Sequence, residues 1–179
     1  MSIRDNKENK ANIPMINDWL LDDLDCLIIL AIGDKGNKST KIYKTVLILS
    51  KILNIQTDTD ACQGYSEEVA ERLNSRLNSQ IFVKVDNKYK LTELGKEIYY
   101  ELLQQLRAKN MDDVVALLNV LHNMSSKKLL ALTYFLYPET SEKSATDENI
   151  NKVIEYLKEK GKKNFKVERE GNEVTIEFP

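Results

Sequence analysis

The sequence predicts a mainly helical chain with a small amount of β structure, an α+β class, and three observations carry that expectation. Apolar residues recur at helical spacing through most of the 179 residues. Two short alternating segments surround an Asp86-Asn87 turn, and two more surround Gly171-Asn172, which are hairpin patterns. Between Lys35 and Thr57 no acidic residue occurs, while lysines stand at 35, 38, 41, 44 and 51.

Residues 1–14 are dominated by Lys, Asn, Asp and Glu and read as a disordered tail. Met1 to Ile13 has no apolar core of the kind a secretory signal needs, and no apolar run reaches membrane-spanning length. A cytoplasmic protein with no membrane contact is expected. Trp19 to Ile32 places Leu20, Leu24, Leu27, Ile28 and Ala31 on one helical face, with Asn17 or Asp18 as cap and Gly33 and Gly36 as stop. A second helix, Ser39 to Leu53, buries Ile42, Val46, Leu49 and Leu53 and sets Lys44 and Lys51 on the opposite side.

After a polar stretch, Ser66 caps a third helix to about Ser79, with Val69, Ala70, Leu73 and Leu77 inward. Its outward face is centred on Glu68, Glu71 and Ser75, with Arg72 and Asn78 to the sides and Arg76 nearer the rim. Ile81 to Val85 and Tyr89 to Leu91 form a short hairpin. Thr92 then caps a long helix to Lys109 with Leu94, Ile98, Leu102 and Leu106 on its apolar side. The order helix, helix, helix, hairpin, helix is the layout of a winged helix-turn-helix, expected over 15–109. Residues 110–179 read as a helical extension: one helix capped by Asp112, one from Ser125 or Ser126 to Pro138, one over Asn149–Lys160, and a C-terminal β-hairpin around Gly171.

Three pieces together resemble a set of archaeal winged-helix proteins of mostly undefined role: Lys41-Ile42-Tyr43-Lys44, Gly64-Tyr65-Ser66-Glu67-Glu68 and Leu91-Thr92-Glu93-Leu94-Gly95. The run Leu129 to Glu139, with Lys143-Ser144, is similar to the helical continuation of those proteins. The order of elements is more distantly similar to the bacterial Panacea-type antitoxin domain. Gly64-Tyr65 stands where that pattern has Gly-Pro-Tyr, and Tyr43 where it has Gln. The resemblance implies a winged-helix fold over roughly Leu20 to Ser144.

With 26 basic against 28 acidic residues, the net charge of −2 gives no general attraction to nucleic acid. Binding to double-stranded DNA would need a local cationic surface. The candidate phosphate contacts are Lys38 just before the second helix, Lys41, Lys44 and Lys51 on it, and Lys88 at the wing tip. The candidate groove contacts are Arg72, Arg76 and Asn78. Alternation is expected to turn Lys84 away from the core. The leading expectation is a DNA-binding transcription regulator, dimeric through Leu94–Lys109 or through the Tyr134–Tyr137 region. The other is a protein-binding adaptor or antitoxin-like module without DNA contact, suggested by Glu68 and Glu71 on the outward helix face.

Enzymatic chemistry is not expected. His122 is the only histidine and reads as a charge complementing its helix end. Cys26 and Cys62 are isolated and read as inert thiols, so neither a metal site nor a cofactor is anticipated.

Overall fold

The computed structural model describes residues 15–16, 19–57, 66–75, 77–136, 155, 166–170 and 173–177. The expected tail over 1–14, Cys62, Gly64-Tyr65, Arg76, Tyr137, the Gly171-Asn172 turn and, apart from Glu155, the expected helix over Asn149–Lys160 lie outside the described residues. The described part is mainly helical with small antiparallel strand pairs, an α+β arrangement. No described helix is long and apolar enough to cross a membrane.

The chain begins with two paired strands, β1 (Met15–Ile16) and β2 (Trp19–Leu20), where a helix from Trp19 was expected. Helix α1 (Asp23–Ile32) starts later because Asp22, rather than Asn17 or Asp18, is its cap. The Asp22 carboxylate accepts from the Asp25 backbone N–H at 2.8 Å, and Asp25 accepts from the Asp22 N–H at 3.3 Å, a reciprocal capping box. Leu20 consequently falls outside the helix and is exposed instead of joining its apolar face.

Helix α1 is buried around most of its circumference, from Leu24 through Ile32 with only Cys26 half-buried. Such all-round burial requires neighbours on several sides. Helices α2 (Ser39–Ile52), α3 (Glu67–Leu73), α4 (Glu93–Ala108) and α5 (Asp112–Asn123) supply them, together with strand β4 (Lys88–Leu91). Helix α6 (Ser126–Leu136) packs on α2 from the other side. α2 therefore buries Leu47 and Ile48 as well as the expected Ile42, Val46 and Leu49.

α3 spans seven residues, not the expected run to Ser79. Its last carbonyls accept from short polar side chains alongside the backbone N–H groups of Asn74 and Ser75. Asn74 Nδ2 donates to Ala70 O at 2.9 Å, Ser75 Oγ to Arg72 O at 2.7 Å, and Asn78 Nδ2 to Leu73 O at 3.1 Å. Side chains of this kind compete with the backbone for helical partners. Leu77 is still buried, but from a turn.

Strand β3 (Phe82–Val85) pairs antiparallel with β4 in the register Phe82↔Leu91, Lys84↔Tyr89. The turn residues Asp86 and Asn87 both have positive φ, 51° and 61°, which suits a two-residue hairpin loop. Phe82, Tyr89 and Leu91 are buried, with Phe82 and Tyr89 edge to face at 5.9 Å. Lys84 shares that face and was expected to avoid it. It remains exposed, its Nζ 5.6 Å from the Tyr89 ring centroid, because a lysine stem can lie along an aromatic while its charge stays in water.

A third segment joins the hairpin. The Asn37 N–H donates to Tyr89 O at 3.0 Å and the Tyr89 N–H to Asn37 O at 2.8 Å, an isolated antiparallel bridge. Gly36 permits it: at φ 74°, with Tyr89 O only 2.6 Å from where a Cβ would stand, no side chain is accommodated.

Thr92 caps α4 as expected, accepting from the Gly95 N–H at 3.1 Å. Asp112 is the first residue of α5 and not its cap; Met111 holds that position without a side-chain bond. Two further strands, β5 (Lys166–Glu170) and β6 (Glu173–Glu177), pair antiparallel from Lys166↔Glu177 to Glu170↔Glu173.

Candidate nucleic-acid interface

The Asn37–Tyr89 bridge decides where the expected cations sit. Antiparallel pairing at 37 and 89 sets Lys38 opposite Lys88 and Gly36 opposite Lys90. Directly opposed residues share one face of a sheet, and so do residues two apart on one strand. Lys38, Lys88 and Lys90 thus belong to one face, and all three are exposed. Like charges opposed in this way disfavour the pairing. Lys38 is also the residue before the first turn of α2, where no side chain caps the helix and no acidic residue occupies the first turn.

The remaining α2 lysines do not extend this face as one solvated stripe. Lys41 Nζ donates to His122 O at 3.0 Å, at the end of α5. Burial, and then the charge of Lys88, hold its ammonium below the usual lysine range. The Lys88 effect places Lys41 within electrostatic reach of the β3–β4 hairpin, but its side chain is half-buried and engaged. Lys44 is half-buried as well, and burial lowers its pKa. Lys51 is exposed at the last turn of α2, thirteen residues and so about 20 Å of helical rise from Lys38. The expected phosphate set divides into Lys38 with Lys88 on one face, Lys41 bonded to the end of α5, Lys44 half-buried on α2, and Lys51 at the far end.

The groove set fares differently. Arg72 reaches α1: its guanidinium lies 2.6 Å from Asp22 and 3.0 Å from Asp25. Asp25 is almost fully buried, and burial followed by the neighbouring Asp22 pushes its carboxyl above the ordinary range against the pull of Arg72. The two carboxylates in turn raise the Arg72 pKa, outweighing the opposing effect of its own burial. The physical task visible for Arg72 is to fasten α3 to α1. Asn78 closes the end of α3 through the Leu73 carbonyl, and Arg76 lies outside the described residues. Glu67, Glu68 and Glu71 are the exposed charged side chains of α3.

A buried polar cluster lies behind the lysine face, and sequence reasoning missed it. His122 Nε2 meets Leu30 O at 2.9 Å, so that nitrogen carries the proton and donates. Its Nδ1 then accepts from Asn37 Nδ2 at 3.0 Å, and the same Asn37 amide donates to Ala31 O at 2.9 Å and lies 3.3 Å from Ile32 O. Together they satisfy the last carbonyls of α1, which have no helical partners. His122 was expected to complement its own helix end as a cation. Burial instead lowers its pKa to about 4, so the ring is neutral and serves the end of another helix. No signal in the sequence marks this role, since Asn37 and His122 stand 85 residues apart.

On α4, Ile98, Tyr99, Leu102 and Leu103 face the core, while Tyr100 is half exposed against the edge of Tyr99. For the Tyr134–Tyr137 region, α6 is described through Leu136, and its aromatic side chains and Tyr137 lie outside the described residues. Cys26 has its thiol pushed up to about 12 by burial and by Asp23, Asp25 and Asp22. Among the described residues no group of three His, Cys, Asp or Glu side chains is placed to hold a metal ion. Comparison with protein-family models, curated proteins and solved structures returned no match for this chain.

Proposed function

We propose that this chain is a winged helix-turn-helix protein that binds duplex DNA as a transcription regulator, contacting phosphates chiefly through the wing and the start of α2. The order α1, α2, α3, β3–β4, α4 supports the fold assignment, as does the third segment that Asn37 adds to the hairpin. The observation that carries the ligand is the opposition of Lys38 and Lys88, with Lys90 beside them, on one exposed face. A pairing that brings like charges together at an uncapped helix start is relieved by an anion, and a DNA phosphate offers one. Lys51 extends the contact along the backbone. In this reading α3 contributes shape more than base recognition, because Arg72 and Asn78 are engaged within the protein.

The test is fluorescence-anisotropy binding to duplex DNA across a salt series. Affinity is expected to fall steeply with salt, and Lys38→Glu/Lys88→Glu to weaken binding at every salt concentration while reducing the logarithmic slope by about 2. Unchanged affinity and slope in the double variant would remove the named surface. The exposed Glu67, Glu68 and Glu71 on α3 favour a second reading, a protein-binding module of the same fold. Absence of any salt-dependent DNA binding by the wild-type chain would leave that reading standing.

A further inference from the structure

We propose that His122 and Asn37 form a proton-operated latch that ties the wing to the ends of α1 and α5, and that protonation of the ring releases the wing while the helical core stays folded. The inference concerns coupling inside the chain and holds whichever ligand the wing takes.

Each link of the latch is a hydrogen bond of the structure. Asn37 holds β4 through both backbone bonds to Tyr89, at 3.0 and 2.8 Å. Its side chain holds α1 through Ala31 O and α5 through His122 Nδ1. The ring holds α1 again through Leu30 O, and Lys41 of α2 closes the circuit on His122 O. Gly33 leaves the ring its space: a Cβ there would stand 2.6 Å from His122 Cε1. One uncharged imidazole thus connects α5, α1 and, through a single asparagine, the wing.

A protonated ring conflicts with Asn37 whichever way the amide is turned. A proton added to Nδ1 faces the Asn37 NH2, donor against donor. Turning the Asn37 amide would offer its oxygen to the new N–H, but would then set that oxygen against Ala31 O and Ile32 O, acceptor against acceptors. Both arrangements leave a buried polar conflict, and the simplest relief is for Asn37 to withdraw, taking its bridge to Tyr89 with it. Lys41 of α2 is the charged side chain acting on the ring, and Lys88 of β4 acts on Lys41 in turn. Lys41 opposes an added positive charge on the ring. α1 and Asn37 meet the ring with uncharged groups.

The direction of the pH effect follows. The ring titrates at about 4 when folded, against an ordinary value near 6.5. Above that ordinary value the neutral ring holds the latch completely, and the contribution drains away as pH falls toward 4.

The test is amide hydrogen exchange by NMR on the full chain between pH 6.5 and 3.5, corrected for intrinsic rates. The Asn37 and Tyr89 amides are expected to lose more than tenfold protection as pH approaches 4, while Ile98 and Leu102 in α4 keep theirs. His122→Gln, which retains a donor and an acceptor but does not titrate, is expected to hold the wing amides protected throughout. Simultaneous opening of wing and α4 amides would overturn the latch, as would the same pH response in His122→Gln. The wild-type comparison decides alone if the variant does not fold.

Discussion

Gly95 sits where α4 crosses the start of β3, and replacing it with alanine tests the packing at that crossing. A Cβ at this position would lie 1.9 Å from Ile81 O, 3.0 Å from Ile81 C and 3.2 Å from Leu91 Cβ. A carbon–oxygen contact is comfortable from about 3.3 Å, so helix and strand must separate by roughly 1.4 Å along that line. The obstacle is backbone, and no rotamer change relieves it. The same Ile81 carbonyl accepts from the Thr92 N–H at 2.9 Å and lies 3.1 Å from Thr92 Oγ1, so moving it strains the cap of α4 as well. Overpacking at its upper end costs about 3 kcal/mol. A disturbed hydrogen bond adds about 1 kcal/mol. Alanine returns about 1 kcal/mol through helix propensity. The net loss is about 3 kcal/mol. With a urea dependence of about 2 kcal/mol per molar, the unfolding midpoint should fall by roughly 1.5 M. The neighbouring Lys96→Ala serves as control, with an expected change within about 0.5 kcal/mol. A Gly95→Ala midpoint equal to or above that of the wild type would refute the reasoning, because propensity would then have outweighed a contact that was never tight.

Arg72→Met should cost about 2 kcal/mol in urea unfolding, less than a fully buried pair because Arg72 and Asp22 are about 40% exposed, and Arg72→Met/Asp25→Asn should recover more than half of it; a neutral Arg72→Met would show that the α1–α3 ion pairs contribute nothing. Thr92→Val removes both the cap on the Gly95 N–H and the 2.7 Å donation to Gln80 O, with an expected loss of about 1–2 kcal/mol by the same measurement. At pH 8, Cys26 in the folded chain should alkylate about a thousandfold more slowly than in urea, because a thiol near 12 leaves almost no thiolate. Peptide mapping separates it from Cys62, and equal rates would contradict the burial of Cys26.

Much of the local structure was legible because it depends on neighbours in sequence. The Ser66 and Thr92 caps, the helix starting at Ser39 and the Asp86-Asn87 turn each follow from residues a few positions apart. The errors at helix ends arose where several short polar side chains competed. Asp22 prevailed over Asn17 and Asp18 because Asp25 lies three residues on to complete the box. At the end of α3, Asn74, Ser75 and Asn78 bond carbonyls of the last turn, and the Leu73 carbonyl accepts from the Asn78 side chain.

By itself the sequence determined the approximate places of α1 to α6, the reversal between β3 and β4 and the main apolar positions of these helices, but not the helix ends or the strand at Trp19, since periodicity and capping act within one or two turns. Tertiary structure alone decided which charges remain available. Arg72 meets Asp25 across 47 residues, Lys41 meets His122 across 81, and His122 meets Leu30 across 92. Each of these pairings arises from packing helices and hairpin around α1, and a buried donor or acceptor takes whatever partner that packing brings within reach. The same packing set Lys38 beside Lys88, drew Lys41 to the end of α5 and half-buried Lys44, a division that lysine spacing along a single helix does not contain.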